Sequence, residues 1–436
     1  MNNLFRNTLA LLLSLCLVSV AEYAAAQSSV GCDPHRTRLI AYPSAAAAEA
    51  RGLERQRYMQ PITEWERPDV ATLRSKYTFP FSWLERQVYL RIEDAYQPYE
   101  VYVNGKLAGS SRNGFGAAEF NITKISREDT NSIEIRLLSA EETNAIECFE
   151  RNANSPKVFI VSQPRVRIRD IEWSAEIGLN GVTNSNFTVV MANATMGDKV
   201  STLYYELYLN DTIRLGGGKR NVALGKYGID TMRFGVPVPD SLLWSANNLH
   251  HDVRLHLKNR IEGRDVEFYN FPVALRELRF EDDKFIINRE VVDITFTDMS
   301  PASTVDDVAT AYERGVRSIR FTAGCVDDRV LDYCDSQGIY VAITVPINSS
   351  SAGDSRKRGG NPSNDVRWRE EYVERTLQSF YTTKRHSSVV AYYLADDSAN
   401  GICLYESYLA LKAVAGDRPV IYLDGGDEWN TDSFKR

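Results

Sequence analysis

At 436 residues, with apolar, charged and aromatic fractions of 43%, 25% and 11%, the chain has an ordinary globular composition and room for two to four domains of roughly 100 to 200 residues. A formal charge of -7 and the lack of any long basic stretch set aside a nucleic-acid partner, whose phosphates call for a concentrated Lys and Arg face.

Residues 1–26 open with a short polar segment carrying Arg6, run through an apolar stretch from Leu9 to Ala21, and end on Ala24, Ala25 and Ala26 before Gln27. This is the layout of a secretory signal with a small-residue cleavage site, and the apolar run is short for a bilayer span. An uncleaved anchor is the alternative, against which the three alanines weigh. Leu15 precedes Cys16 where a lipoprotein signal would want a small residue, so lipidation is not expected. No later segment reads as a transmembrane span, and the mature protein is expected to be soluble and exported, whether periplasmic, at the cell surface or secreted.

Removing the signal leaves Cys32, Cys148, Cys325, Cys334 and Cys403, an odd number in a compartment that permits disulfides. A Cys32–Cys148 bridge would close a loop of more than 100 residues and contribute about 4 to 5 kcal/mol in the chain-entropy model. Cys325 with Cys334 is the competing pair, and plain buried thiols are the simplest reading. No spacing resembles paired C-x-x-C and the histidines are scattered, so neither a metal site nor a cofactor is expected.

After an N-terminal segment at 27–62, residues 63–166 read as strands. Val88, Leu90 and Ile92 alternate with Tyr89, Arg91 and Glu93, and Ile133, Ile135 and Leu137 alternate with Glu134 and Arg136. Val101 and Val103 lead into Asn104-Gly105, a dipeptide suited to the positive backbone angles of a tight hairpin. Residues 167–277 form a second β-rich block, with Leu203, Tyr205, Leu207 and Leu209 on one face and Val253, Leu255 and Leu257 in a later strand; its length and short turns fit an immunoglobulin-like sandwich.

From 278 to 436 strands and helices alternate, which implies parallel strands joined by crossover helices. The strands are expected at 291–298, 318–323, 339–347, 389–397 and 419–424, and the helices at 305–314, 328–337, 366–386 and 404–415. Two arrangements are open: a self-contained five-strand sheet, or the first part of an eight-stranded barrel. In either, the first and fifth strands would have unpaired edges. Shielding by the second sandwich or by 33–60, together with a protein partner or self-association, is the expected remedy, since the tail from Trp429 to Arg436 offers little cover.

Several stretches carry a resemblance. Tyr89-Leu90-Arg91-Ile92, Glu100 through Lys106, Phe120-Asn121-Ile122-Thr123 and Asn131-Ser132-Ile133 resemble the sugar-binding jelly roll of glycoside hydrolase family 2, which includes β-galactosidases, β-glucuronidases and β-mannosidases. Trp244-Ser245 and Val273-Ala274-Leu275-Arg276 are similar to the end of that family's middle domain, and Phe285-Ile286-Ile287-Asn288 to the opening of its barrel. Gly315 through Arg320 and Leu331 through Ile339 resemble its second barrel strand and second helix. The resemblance runs from about Thr63 onward. It implies a multidomain β plus α/β fold: a jelly-roll sandwich, an immunoglobulin-like sandwich and a partial (β/α) TIM-type barrel ending after about five strands.

The chemistry implied is the retaining scheme, in which one carboxylic acid protonates the leaving oxygen and a second carboxylate about 5 to 5.5 Å away attacks the anomeric carbon. The resemblance puts the acid in an Asn-Glu pair ending the fourth barrel strand, where this sequence has Asp396-Asp397, and the nucleophile on a seventh strand with no counterpart here. A family His falls at Ala323 and a strand-three acid at Thr344. Arg320 remains where the family holds an arginine near the nucleophile, and the plain reading of a lone arginine is structural pairing with a strand-end carboxylate. Asp396 and Asp397 can likewise be read as solvated charge or helix caps.

The expected function is a catalytically degenerate family 2-like protein that binds glycan or a protein partner. The alternatives are an active retaining exo-β-glycosidase using Asp397, with its nucleophile supplied by Asp424, Glu428 or another chain, and a purely structural envelope component. Trp83, Trp173, Trp244 and Trp368 are candidate sugar platforms for which core packing is the expected role. The loop from Ser351 to Asn364, with Arg356-Lys357-Arg358, is expected on the face where barrel sites form, solvated and mobile rather than ligand-binding.

Overall fold

The computed structural model describes residues 39, 41–50, 57–93, 95, 97–139, 143–149, 156–249, 252–357, 359–425 and 430–433. The expected signal sequence, Cys32, Arg358 and Glu428 lie outside them.

A short helix, α1 (Ala45–Ala50), precedes the first sandwich. There β1 (Met59–Ile62), β2 (Thr72–Tyr77), β3 (Gln87–Glu93), β4 (Tyr99–Val103), β5 (Lys106–Ser111), β6 (Ala118–Asn121), β7 (Asn131–Leu137) and β8 (Lys157–Gln163) make two antiparallel sheets, ordered β1-β8-β3-β6 and β2-β7-β4-β5. Alternation decides which side chains go inward: Tyr99, Val101 and Val103 of β4 meet Ile133 and Ile135 of β7 in the core. The β4–β5 reversal sits on Asn104 and Gly105, both at positive φ (52° and 75°), as the hairpin dipeptide requires.

The second sandwich follows. Its strands β9 (Val166–Ile177), β10 (Val182–Asn193), β11 (Lys199–Leu209), β12 (Ile213–Leu224), β13 (Ile229–Pro239), β14 (Val253–Ile261) and β15 (Arg264–Pro272) form sheets β13-β10-β9 and β12-β11-β14-β15. Phe187, Val189 and Met191 face Leu203, Leu207 and Leu255 across its core. Tyr42 of the N-terminal segment donates its N–H to the Phe268 carbonyl at 2.9 Å, pairing with β15.

Next comes an antiparallel meander of β16 (Leu278–Glu281), β17 (Lys284–Ile287) and β18 (Glu290–Val292). The parallel strands β19 (Thr297–Met299), β20 (Ser318–Phe321), β21 (Tyr340–Thr344), β22 (Val389–Tyr393) and β23 (Val420–Ile421) alternate with α2 (Val305–Glu313), α3 (Asp328–Gln337), α4 (Arg369–Thr383) and α5 (Ile402–Lys412). The strands lie side by side in chain order, with no reversal of the kind a doubly wound sheet shows, so the sheet is a barrel segment. Helices cover one face through Val308, Leu331, Tyr372, Phe380 and Leu404. The meander fills the other: Leu278, Phe285 and Ile287 pack on Tyr340, Ala342, Ala391 and Tyr393.

Three expectations are corrected. The strand read at 291–298 is two pieces, because Asn288 and Arg289 at positive φ turn the chain so that Val291 pairs with Ile286 in the meander and only Thr297–Met299 joins the parallel sheet. Trp368 precedes α4 in a 3-10 turn rather than lying on a longer helix. The tail covers the fifth strand's edge: Asp432 donates its N–H to the Val420 carbonyl and accepts from Val420 N–H, both at 2.8 Å, while Thr431 Oγ1 accepts from Tyr422 N–H at 3.1 Å.

Helix α4 joins the three parts. Arg375, fully buried, donates to Glu371 at 2.6 Å, to Glu147 of the segment after β7, and to the Pro346 carbonyl at 2.8 Å. At the helix C-cap, buried Lys384 holds Asp170 at 2.6 Å and Glu172 at 2.8 Å, both on β9. Removing one member of a buried pair leaves an uncompensated charge, typically a loss of about 3 to 5 kcal/mol, whereas a surface pair contributes about 0 to 1 kcal/mol. Arg375→Ala is therefore expected to lower the urea midpoint strongly and Arg369→Ala, which breaks the half-exposed pair with Glu406, hardly at all. Equal midpoints would show that α4 does not clamp the domains.

Candidate functional site

The carboxyl ends of the five parallel strands form one rim, where barrel sites are built. Asp298 comes from β19, Arg320 from β20, Asp396 and Asp397 follow β22, and Asp424 follows β23. Arg320 is the hub. Its Nε and Nη2 donate to the two oxygens of Asp298 at 2.7 and 2.5 Å, and its Nη1 donates to Asp396 Oδ1 at 3.2 Å. The second Asp396 oxygen accepts from Ala323 N–H at 2.7 Å, and the guanidinium lies 5.1 Å from the centre of the Tyr393 ring. Burial raises the Asp396 carboxyl above its ordinary range, and the Ala323 N–H and Arg320 offset part of that rise.

Asp397 is exposed, and among the described residues its carboxylate has no hydrogen-bond partner. Its backbone is fixed, since its carbonyl accepts from Ser349 N–H at 2.9 Å. Asp424 lies within electrostatic reach: its carboxyl is pushed up first by burial, then by the charges of Asp397 and Asp354. Thr344 is fully buried at the end of β21, and its hydroxyl has no partner among the described residues.

The first sandwich reaches this rim. Asn348 donates to the Ile146 carbonyl at 2.8 Å and Cys148 donates to the Asn348 carbonyl at 3.0 Å. Burial works to raise the Cys148 thiol, but hydrogen bonds with Ser351 bring it below its ordinary value. The loop read as mobile is anchored by buried Asn361, whose amide donates to the Ser349 and Gly353 carbonyls at 3.0 and 2.8 Å and whose Oδ1 accepts from Ser363 N–H at 3.0 Å. The Asn361-Pro362 pair, a turn signal, was the sequence clue to that anchor. Trp83 and Trp244 are buried, and Trp173 and Trp368 pack partly buried against their cores, so none stands as an open platform. No disulfide joins Cys148, Cys325, Cys334 and Cys403, so the Cys325–Cys334 pairing is not formed.

Residues 289–434 match the model of the glycosyl hydrolases family 2 TIM barrel domain. Over 410 residues the chain is 20% identical to a β-galactosidase of Priestia megaterium, covering 87% of this chain and 39% of that protein. Over 374 residues it is 22% identical to a β-galactosidase of Psychromonas ingrahamii, covering 81% and 36%. Among solved structures, a Bacteroides uniformis β-glucuronidase superposes with a TM-score of 0.66 at 18% identity, over 81% of this chain and 46% of that one. A β-D-mannosidase of Dictyoglomus thermophilum gives 0.60 at 17%, over 74% and 45%. The barrel segment thus resembles that of glycoside hydrolase family 2, and most of the chain shares its fold with solved glycosidases. The chain spans about two-fifths of the length of the β-galactosidases it matches.

A second cluster lies at the opposite end of the sheet. Asp332, Asp335 and His386 bring three potential ligand atoms within 4.8 Å of one another. The atoms are already engaged as an ion pair: His386 Nδ1 meets Asp335 Oδ2 at 2.8 Å, and Asp335 Oδ1 accepts from Ser388 N–H at 2.7 Å. Burial alone would lower the imidazole, but the hydrogen bond and charge of Asp335 outweigh it and raise its pKa. A raised folded value means stabilisation that is full below the unfolded value near 6.5 and is lost as pH rises through the folded one. His386→Ala should thus cost on the order of 2 kcal/mol near pH 5.5 and clearly less at pH 9, read from urea midpoints at both pH values. A pH-independent difference would mean that the imidazole contributes by packing alone.

Proposed function

We propose that this protein is an exported, catalytically degenerate relative of the family 2 glycosidases that binds glycan, with the barrel segment serving as scaffold. The observation that carries this reading is the closed charge network around Arg320. Asp298 and Asp396 take three of its five N–H donors and two carboxylates already balance its charge, so it has little left to offer a sugar or a further carboxylate. Asp396 stands where the family resemblance puts an amide. Both of its oxygens are engaged inward, and when ionised it can only accept.

Asp397 stands at the acid position one methylene short, a retreat of about 1.5 Å, and a misplacement near 1 Å can cost on the order of 100-fold. General-acid work also needs a carboxyl held near a leaving oxygen, and among the described residues no hydrogen bond orients this one. Export is supported by the composition of residues 1–26.

The test is hydrolysis of 4-nitrophenyl β-galactoside, β-glucuronide and β-mannoside beside a glycan array. The expected outcome is turnover indistinguishable between the wild type and Asp397→Asn, together with glycan capture on the array. Strong hydrolysis abolished by Asp397→Asn but kept by Asp396→Asn and Asp424→Asn would overturn the degenerate reading. An array with no captured glycan would favour a structural envelope role.

A further inference from the structure

The outer face of the β2-β7-β4-β5 sheet carries a groove of about 550 Å³, inside the size range of ligand sites. Its floor is a row of side chains from neighbouring strands. Glu134 of β7 sits in the middle and accepts from Arg74 Nε of β2 at 2.7 Å and from Arg136 Nε at 2.6 Å. The Arg136 guanidinium in turn lies 4.2 Å from the centre of the Tyr102 ring, and the Tyr102 hydroxyl donates to Glu100 at 2.8 Å. One wall is the segment around Trp65, held along the β2 edge by paired backbone bonds of 2.8 Å between Glu66 and Arg74 and by Ser75 Oγ donating to the Glu64 carbonyl at 2.6 Å.

We propose that this groove is the protein's glycan-binding site and that it takes a neutral oligosaccharide; the inference rests on the glycan-binding reading above. Charge balance selects the occupant. Three carboxylates (Glu64, Glu66, Glu134) and three cations (Arg74, Lys76, Arg136) line the groove, so no net field favours a phosphate, a uronate or a basic peptide. Each arginine spends Nε on Glu134 and keeps its terminal nitrogens for a ligand, in fixed planes one strand apart. Pairs of donors at fixed spacing suit the vicinal hydroxyls of a sugar, and Tyr102 holds the Arg136 guanidinium in place beneath them. The floor is preorganised on strands, so binding need not order loops.

The experiment is calorimetry on the full chain with β-1,4-linked hexaoses of galactose, glucose, mannose and xylose. Tyr102→Ala and Arg136→Met are the groove variants, and Tyr204→Ala is the control, since that ring lies under Lys258 in the second sandwich. Circular dichroism confirms folding of each. The expected result is binding of at least one hexaose by the wild type, weakened at least tenfold in both groove variants and unchanged in the control. Hexaose binding unaltered in both groove variants would overturn the groove while leaving the glycan-binding reading intact. Capture on the array of acidic glycans alone, with no hexaose bound, would overturn the neutral ligand. Silence on both the array and the calorimeter would remove the underlying reading itself.

Discussion

Helix α4 holds two cations that the chain has taken out of water, Arg375 facing the first sandwich and Lys384 facing the second. Burying a charge costs several kcal/mol unless it is paired and hydrogen-bonded, so the position of each partner carboxylate is tightly constrained. Glu147 and Asp170 can meet these cations only if both sandwiches sit in one orientation relative to the barrel segment. Other polar contacts follow from the same placement: Asn113 donates to Gln378 of α4, and Gln378 donates to the Ala117 carbonyl at 3.1 Å. The rim geometry depends on it too, because Ile146 and Cys148 reach Asn348 from the segment that carries Glu147.

At that rim the same chemistry has a different consequence. A glycosidase keeps its carboxyls poised and its cations available, whereas here Arg320 closes on two carboxylates and Asp396 is further satisfied by a backbone N–H. Satisfied groups make a stable strand end. The remaining carboxylate, Asp397, is solvated, and this contrast supports the degenerate reading proposed above.

How much of this was legible in the sequence varied with the range of the interaction. The Asn104-Gly105 hairpin and α3 are encoded by neighbouring residues, the helix by the Asp327 cap at one end and Gly338 in the left-handed conformation at the other, and both stand where the pattern put them. The stretch 291–298 was ambiguous because its alternation suits both a meander edge and a barrel strand; the turn at Asn288-Arg289 separates them. Arg320 with Asp396 and Asp397 could be placed at strand ends from spacing and resemblance, while the part played by Asp298 depended on knowing which strand lies beside β20. Arg375 was hidden most completely. A charged residue on a helix reads as a solvated face, and the acid that buries it stands 228 positions away.

That separation bears on how the chain assembles as it is made. Glu147 and Asp170 emerge early, more than 200 residues ahead of the cations that will neutralise them. Until α4 appears, the two sandwiches meet the solvent with these acids hydrated, and a hydrated carboxylate resists being buried against the wrong surface. Docking of the third part then closes contacts of very high sequence separation, a slow step that comes last. The ion pairs thus have an order in time as well as a place in space: the two acids are made first and the cations that bury them last.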